Sequence, residues 1–277
     1  MQVVRERCCG LDVHKKTITA CCITPEGKEI STFGTMTPDI LEMADWIQAK
    51  GCTHVAMEST GVLWKPIYNL LEDSGLELLV VNAHHIKMVP GRKTDVKACE
   101  WIADLLSHGL LRGSFIPPEP IRDLRDLTRY RKSLTDERVR EVKRLQKFLE
   151  AANIKLSSVA NDVMGASGRA MLEALTAGST DPQVLSELAK GRLRKKLPEL
   201  RKALEGRFRP HHRFMVGEIL THIDFLDEAI ERISQEVSCR IVPFSKTVEV
   251  MDLVPGINQR AAEGILSEIG VDMNCFP

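Results

Sequence analysis

Residues 3–34 read VVRERCCGLDVHKKTITACCITPEGKEISTFG. The run holds three short strand-like segments, residues 3–13, 17–24 and 29–34, separated by the turn signals His14-Lys15-Lys16 and Pro25-Glu26-Gly27. Strands joined so tightly pair antiparallel, and the chain therefore opens on a meander. The pattern changes at Thr37-Pro38-Asp39, which starts an amphipathic helix (Ile40, Leu41, Met43, Ala44, Ile47) that runs to Gly51. Residues 54–57 then form a short apolar strand closed by Glu58, and 62–74 has helical period. Residues 76–81 suit a strand buried on both faces, and a further helix over 95–111 is opened by Asp95 and stopped by Gly113. Antiparallel strands followed by alternating helix and strand predict an α/β domain, a mixed sheet covered on both sides.

Pro117-Pro118-Glu119-Pro120 marks a boundary. Beyond it, residues 121–152 read as one long charged helix, and residues 212–241 as a second. In the second, Val216, Ile219, Ile223, Leu226, Ile230, Ile233 and Val237 step alternately by three and four, the seam of a coiled coil. The two helices are expected to pair. So regular a seam also predicts a homodimer or higher homo-oligomer. Repeated Gly and Pro leave room only for short helices over 153–211.

A chain of 277 residues is long enough for about two domains with real cores. Its 38 basic and 38 acidic side chains cancel, but the cancellation hides a division: residues 116–210 carry 21 basic against 13 acidic, between flanks of net −2 and −6. No run approaches the roughly 18 apolar residues of a membrane helix, and Arg5, Glu6 and Arg7 spoil any signal-peptide anatomy, so a cytoplasmic protein without membrane contact is expected. The eight cysteines include no C-x-x-C pair and read as reduced, mostly buried small hydrophobes.

Asp12 ends one apolar strand and Glu58 another, and Asp95 follows the basic loop Gly91-Arg92-Lys93-Thr94. Carboxylates in such places are costly unless a partner or cation satisfies them. If the three converge on one end of a sheet, they make an oxygen-rich site suited to Mg²⁺, with Mn²⁺ as a substitute. Each also has a plain structural role available: Asp12 as a turn residue, Glu58 paired with a lysine, Asp95 as a helix N-terminal acid. His84-His85 is read as an extended pair pointing to opposite faces, without a third ligand at useful spacing. Trp46, Trp64 and Trp101 fall on apolar helix faces and read as core.

The motifs GLDVHKK (10–16), AMESTG (56–61), GRKTDVKACEWIADLL (91–106) and LVPGINQRAAEGILSEIG (253–270) together resemble the DEDD transposases of the insertion sequence 110 family, bridge-RNA-guided recombinases. The resemblance implies a RuvC-like domain of the ribonuclease H fold over 1–116, a coiled-coil and basic helical region over 117–245, and the start of a helical transposase domain over 246–277. It implies Asp12, Glu58 and Asp95 as three catalytic acids holding Mg²⁺, with a fourth acid three residues after Asp95. Ala98 stands there. It also implies a nucleophilic serine in a segment beyond Pro277, since Ser267 falls inside a predicted helix. The expected activity is Mg²⁺-dependent DNA cleavage and strand exchange, impaired in this chain, with DNA and a structured guide RNA as partners. A RuvC-like junction nuclease and a non-catalytic RNA- or DNA-binding remnant are the alternatives.

The nucleic-acid contacts expected near the acids are Lys15, Lys16, Arg92 and Lys93. The basic region adds Arg138, Arg140, Lys143, Arg144 and Lys147 on the first long helix and Arg192, Arg194, Lys195 and Lys196 beyond it. Gly256, in the tight turn of a helix-hairpin-helix-like segment, completes the set.

Overall fold

The opening stretch forms the meander. Strands β1 (Cys8–Val13), β2 (Ile18–Thr24) and β3 (Gly27–Phe33) pair antiparallel, with Thr24 opposite Gly27 across a two-residue turn of Pro25 and Glu26. β1 begins later than the apolar pattern suggests: the amides of Val4 and Arg5 donate to the Ser107 carbonyl and do not join the sheet. In this computed structural model, which describes residues 3–88 and 97–276, the chain divides into two compact units, Met1–Ile116 and Pro117–Pro277.

The first unit continues with α1 (Thr37–Ala49), β4 (His54–Glu58), α2 (Trp64–Leu71), β5 (Glu77–Val81), α3 (Ala83–Met88) and α4 (Ala98–Ser107). β4 lies parallel to β1 and β5 parallel to β4, so the five-stranded sheet is mixed, in the order β3-β2-β1-β4-β5. One face packs Leu11, Ile18 and Met57 against Ile40, Met43 and Ile47 of α1 and Ile67 of α2. On the other, Cys8, Ala56 and Val81 meet Ile102, Leu105 and Leu106 of α4. β5 is the edge strand rather than one buried throughout, with Glu77 exposed.

Two expectations need correction. Residues 83–88 form α3, so His84 and His85 are helical and exposed, not an extended pair. Asn82 starts this helix by accepting the His84 amide at 2.8 Å, a local capping bond that outweighs the apolar pattern. α4 begins at Ala98, with Lys97 as its extended N-cap, and not at Asp95, which lies outside the described residues. It stops at Ser107 because Gly109 turns the chain at φ +68°, four residues before the expected end.

The second unit is helical: α5 (Glu119–Ala151), α6 (Leu156–Val159), α7 (Ala166–Ala177), α8 (Pro182–Glu187), α9 (Leu197–Leu204), α10 (Pro210–Arg240), α11 (Ser245–Asp252) and α12 (Gln259–Ile269). α5 and α10 lie side by side and antiparallel. Arg240 pairs with Asp123 at one end, Leu134 meets Leu226 and Ile230 midway, and Leu145 and Leu149 share a core with Val216 and Ile219 at the other end. The seam of α10 is thus covered by α5 of the same chain, with Ile223 fully buried. The short helices α6 to α9 pack on the far end of this pair.

Residues 246–277 join the same unit at the near end, where Val248, Ala262 and Leu266 meet Ile121, Leu124 and Val237. A polar seam fastens α12 there: Arg131 and Glu263, both buried, pair at 2.6 Å, Arg129 binds the Glu268 carboxylate with two hydrogen bonds, and Arg125 donates to the Ser267 and Glu268 carbonyls. Ser267 is buried and shares a 2.8 Å hydrogen bond with Thr128. Among the described residues no helix is long and apolar enough to cross a membrane.

Candidate active site

Asp12 and Glu58 stand together because of strand register. β1 and β4 run parallel with Gly10 beside Ala56 and Leu11 beside Met57, so the next pair in line is Asp12 and Glu58. Side chains alternate along a strand, which places both carboxylates on the face of Gly10 and Ala56, at the carboxyl ends of two strands about 4.8 Å apart. α4 covers that face. It runs antiparallel to β1, with Cys8 Sγ 3.6 Å from the Ala103 carbonyl and the Val4 amide bonded to that of Ser107. Gly10 makes the fit possible: a Cβ there would fall 2.4 Å from both Ala103 N and Cys99 O. The first turn of α4, Ala98 and Cys99, therefore lies at the acid end of the sheet. Burial pushes the Cys99 thiol above its usual range, and the Asp12 carboxylate adds to the rise.

The two carboxylates are accessible enough to take a ligand. Asp12 keeps 31% of its side chain exposed and lies 3.3 Å from His14 Nε2, while Glu58 accepts a hydrogen bond from Thr60. His14 and Thr60 each sit two residues beyond an acid, a spacing that in extended chain returns to the same face and that could have flagged both. Lys15 and Lys16 are exposed in the turn just past Asp12. Asp95, Arg92 and Lys93 lie outside the described residues. Among the described residues no three His, Cys, Asp or Glu side chains converge as a metal site, and Ala98 offers no oxygen where a fourth acid is expected. Two carboxylates at the ends of adjacent strands are the hard oxygen donors that Mg²⁺ takes, its remaining positions going to water and phosphate oxygens.

The profile of the insertion sequence 110 DEDD transposases, described as a transposase, matches residues 9–154, just over half of the 277-residue chain. The chain belongs to this transposase family. The match takes in β1 with Asp12, β4 with Glu58, and α5 to its end. None of the curated proteins compared matches the chain. As a transposase it has DNA as its partner.

The basic residues of this transposase separate into two groups. Arg138 is tied to Asp227, Arg144 to Glu141 and Arg194 to Glu187, while Lys196 donates to the Val159 carbonyl. Arg140, Lys143, Lys147, Arg192 and Lys195 are exposed and have no ion pair or side-chain hydrogen bond among the described residues. Lys190, two residues before Arg192, is exposed and extends the charge run of the Arg192 to Lys196 cluster, which the sequence reading began only at Arg192. Gly256 is exposed, at φ +91°, in the hairpin between α11 and α12, beside Leu253 at 82% exposure.

Proposed function

We propose that this transposase is an RNA-guided DNA recombinase subunit whose first unit is a RuvC-like domain of the ribonuclease H fold. The observation that carries the reading is the pairing of Asp12 and Glu58 on adjacent parallel strands, beneath the first turn of α4. The sheet order, with the acid-bearing strands β1 and β4 as neighbours inside it, supports the same assignment. Asp12, Glu58 and Asp95 hold Mg²⁺ or Mn²⁺. Held there, Mg²⁺ or Mn²⁺ would supply charge neutralisation at a DNA phosphate. The sheet fixes the Asp12 and Glu58 carboxylates, His14 orients Asp12, and Thr60 orients Glu58. The attacking hydroxyl is a serine's in this reading, and Ser267, buried and hydrogen-bonded to Thr128, does not supply it. Ala98 leaves the site short of one carboxylate, so metal binding and strand exchange are impaired. The antiparallel α5–α10 pair is the coiled-coil region of the recombinase, and the basic segment takes the structured guide RNA.

Calorimetric titration with Mn²⁺ and Mg²⁺ tests this reading. Asp12→Asn and Glu58→Gln should each abolish binding, and Ala98→Asp should tighten it. Binding that survives both acid variants overturns the site. An affinity unchanged by Ala98→Asp removes position 98 from it.

A further inference from the structure

Two clefts flank α6 in the second unit. Ser157 lines one and Val159 the other, and residues two apart on a helix face roughly opposite ways, about 200° around the axis. The first cleft, about 440 Å³, is bounded on α5 by Lys143 and Lys147. Arg140 precedes them on the same outward stripe, since steps of three and four residues keep to one helix face. The second cleft, also about 440 Å³, is bounded by Lys190, Arg192 and Lys196, and the Lys190 amide donates to Ser167 Oγ at 2.8 Å, which fixes its rim. The carboxylates present are already engaged: Glu150 pairs with Lys155, and Asp162 accepts the Met164 amide at 2.9 Å. Among the described residues no aromatic side chain lines either cleft.

We propose that these two clefts seat the backbone of a nucleic-acid duplex and contact its phosphates rather than its bases. The proposal rests on the nucleic-acid reading above and deepens it by naming the surface and the form of the ligand. Arg140, Lys143, Lys147, Lys190 and Arg192 make no ion pair among the described residues and Lys196 donates only to a main-chain carbonyl, so these cations retain their charge for phosphates, whereas Arg138, Arg144 and Arg194 are committed to carboxylates. Surfaces that hold single strands combine such cations with aromatic platforms on which unstacked bases lie, and both clefts lack them. A duplex keeps its bases stacked inside and offers its phosphates outward, which suits the lysines, arginine and serines that the two linings include. DNA and RNA duplexes share this chemistry, and the probes below separate them.

The test is fluorescence anisotropy at several salt concentrations with a labelled duplex of arbitrary sequence, made once as RNA and once as DNA, and with one strand alone. Two triple variants are compared with the parent: Arg140→Gln/Lys143→Gln/Lys147→Gln and Lys190→Gln/Arg192→Gln/Lys196→Gln. A third, Lys202→Gln/Arg232→Gln/Lys246→Gln, removes the same charge elsewhere in the unit. Each cleft variant should lower duplex affinity roughly tenfold. It should also flatten the slope of log K against log salt by up to about 2.7, at about 0.9 per lost phosphate contact. The control should change neither, and circular dichroism should match throughout. The duplex bound more tightly by the parent identifies the natural form. Cleft variants that bind like the parent, a control that weakens binding equally, or a single strand held as tightly as either duplex overturns the proposal while leaving the general nucleic-acid reading intact. A parent that binds no nucleic acid defeats that reading itself.

Discussion

Replacing Gly10 with alanine tests how α4 is held over the acids. The added carbon falls 2.4 Å from Ala103 N and Cys99 O, whereas carbon atoms rest about 3.5–4.0 Å from their neighbours, so α4 must lift by about 1 Å. Both obstructing atoms are main chain of one helix, and no side-chain rotation relieves them. The lift loosens Ile102, Leu105 and Leu106 from the sheet and moves Ala98 away from Asp12. Overpacking of this kind costs about 1–3 kcal/mol, and the rigid contact places Gly10→Ala at the upper end. All three tryptophans, Trp46, Trp64 and Trp101, lie in the first unit, so urea unfolding followed by tryptophan fluorescence reports on that unit alone. Gly217→Ala is the counterpart: nothing lies within 4 Å of its added carbon in the interior of α10, so it should stabilise the second unit by up to about 1 kcal/mol without moving the fluorescence transition. A loss of less than about 0.5 kcal/mol for Gly10→Ala would refute the seating of α4 on Gly10.

Ile223→Ala should destabilise the helical unit by about 2–5 kcal/mol in chemical denaturation with no change of mass in light scattering; a halved mass with unchanged stability would instead place the seam between subunits. Glu263→Gln leaves the Arg131 charge buried and unpaired and should cost about 3–5 kcal/mol, whereas Arg131→Met with Glu263→Leu should recover most of it; a double variant no better than the single would contradict this account of the pair. The hydrogen bond from Arg129 holds the Glu268 carboxyl below its ordinary value of 4.5, so its contribution to the α12 contact is present above that pH and lost as pH falls through the lowered value. Glu268→Gln should therefore flatten the acid limb of the stability curve, and an acid limb identical to the parent's would rule this carboxyl out.

The meander was legible because its turns carry their own chemistry: Pro25-Glu26-Gly27 closes a hairpin whatever surrounds it. The long helices were legible from their apolar stepping, but the same stepping could not say whether the covering helix came from this chain or another. α5 answers that through Leu134, Leu145 and Leu149, residues far from α10 in sequence. Asp12 and Glu58 were legible as acids at strand ends. Their neighbourhood depends on the β1–β4 register, which no local pattern encodes. Gly10 gives no sign in the sequence that a helix backbone will rest on it. Charge patterning failed in a similar way. Glu141 is close enough to Arg144 along one helix to suggest their pairing, but Asp227 meets Arg138 only because two helices fold back on each other.

The antiparallel α5–α10 hairpin sets a length. Along α5, from Ile121 in the core beside α12 to Leu149 in the core beneath α6, the axis runs about 42 Å at 1.5 Å per residue. At 3.4 Å per base pair, that distance matches about twelve pairs of duplex, a little over one helical turn. A stiff helix pair of this kind works as a ruler: whatever is gripped at the α6 end and touched at the α11–α12 hairpin is measured against a span that no side-chain rearrangement can shorten.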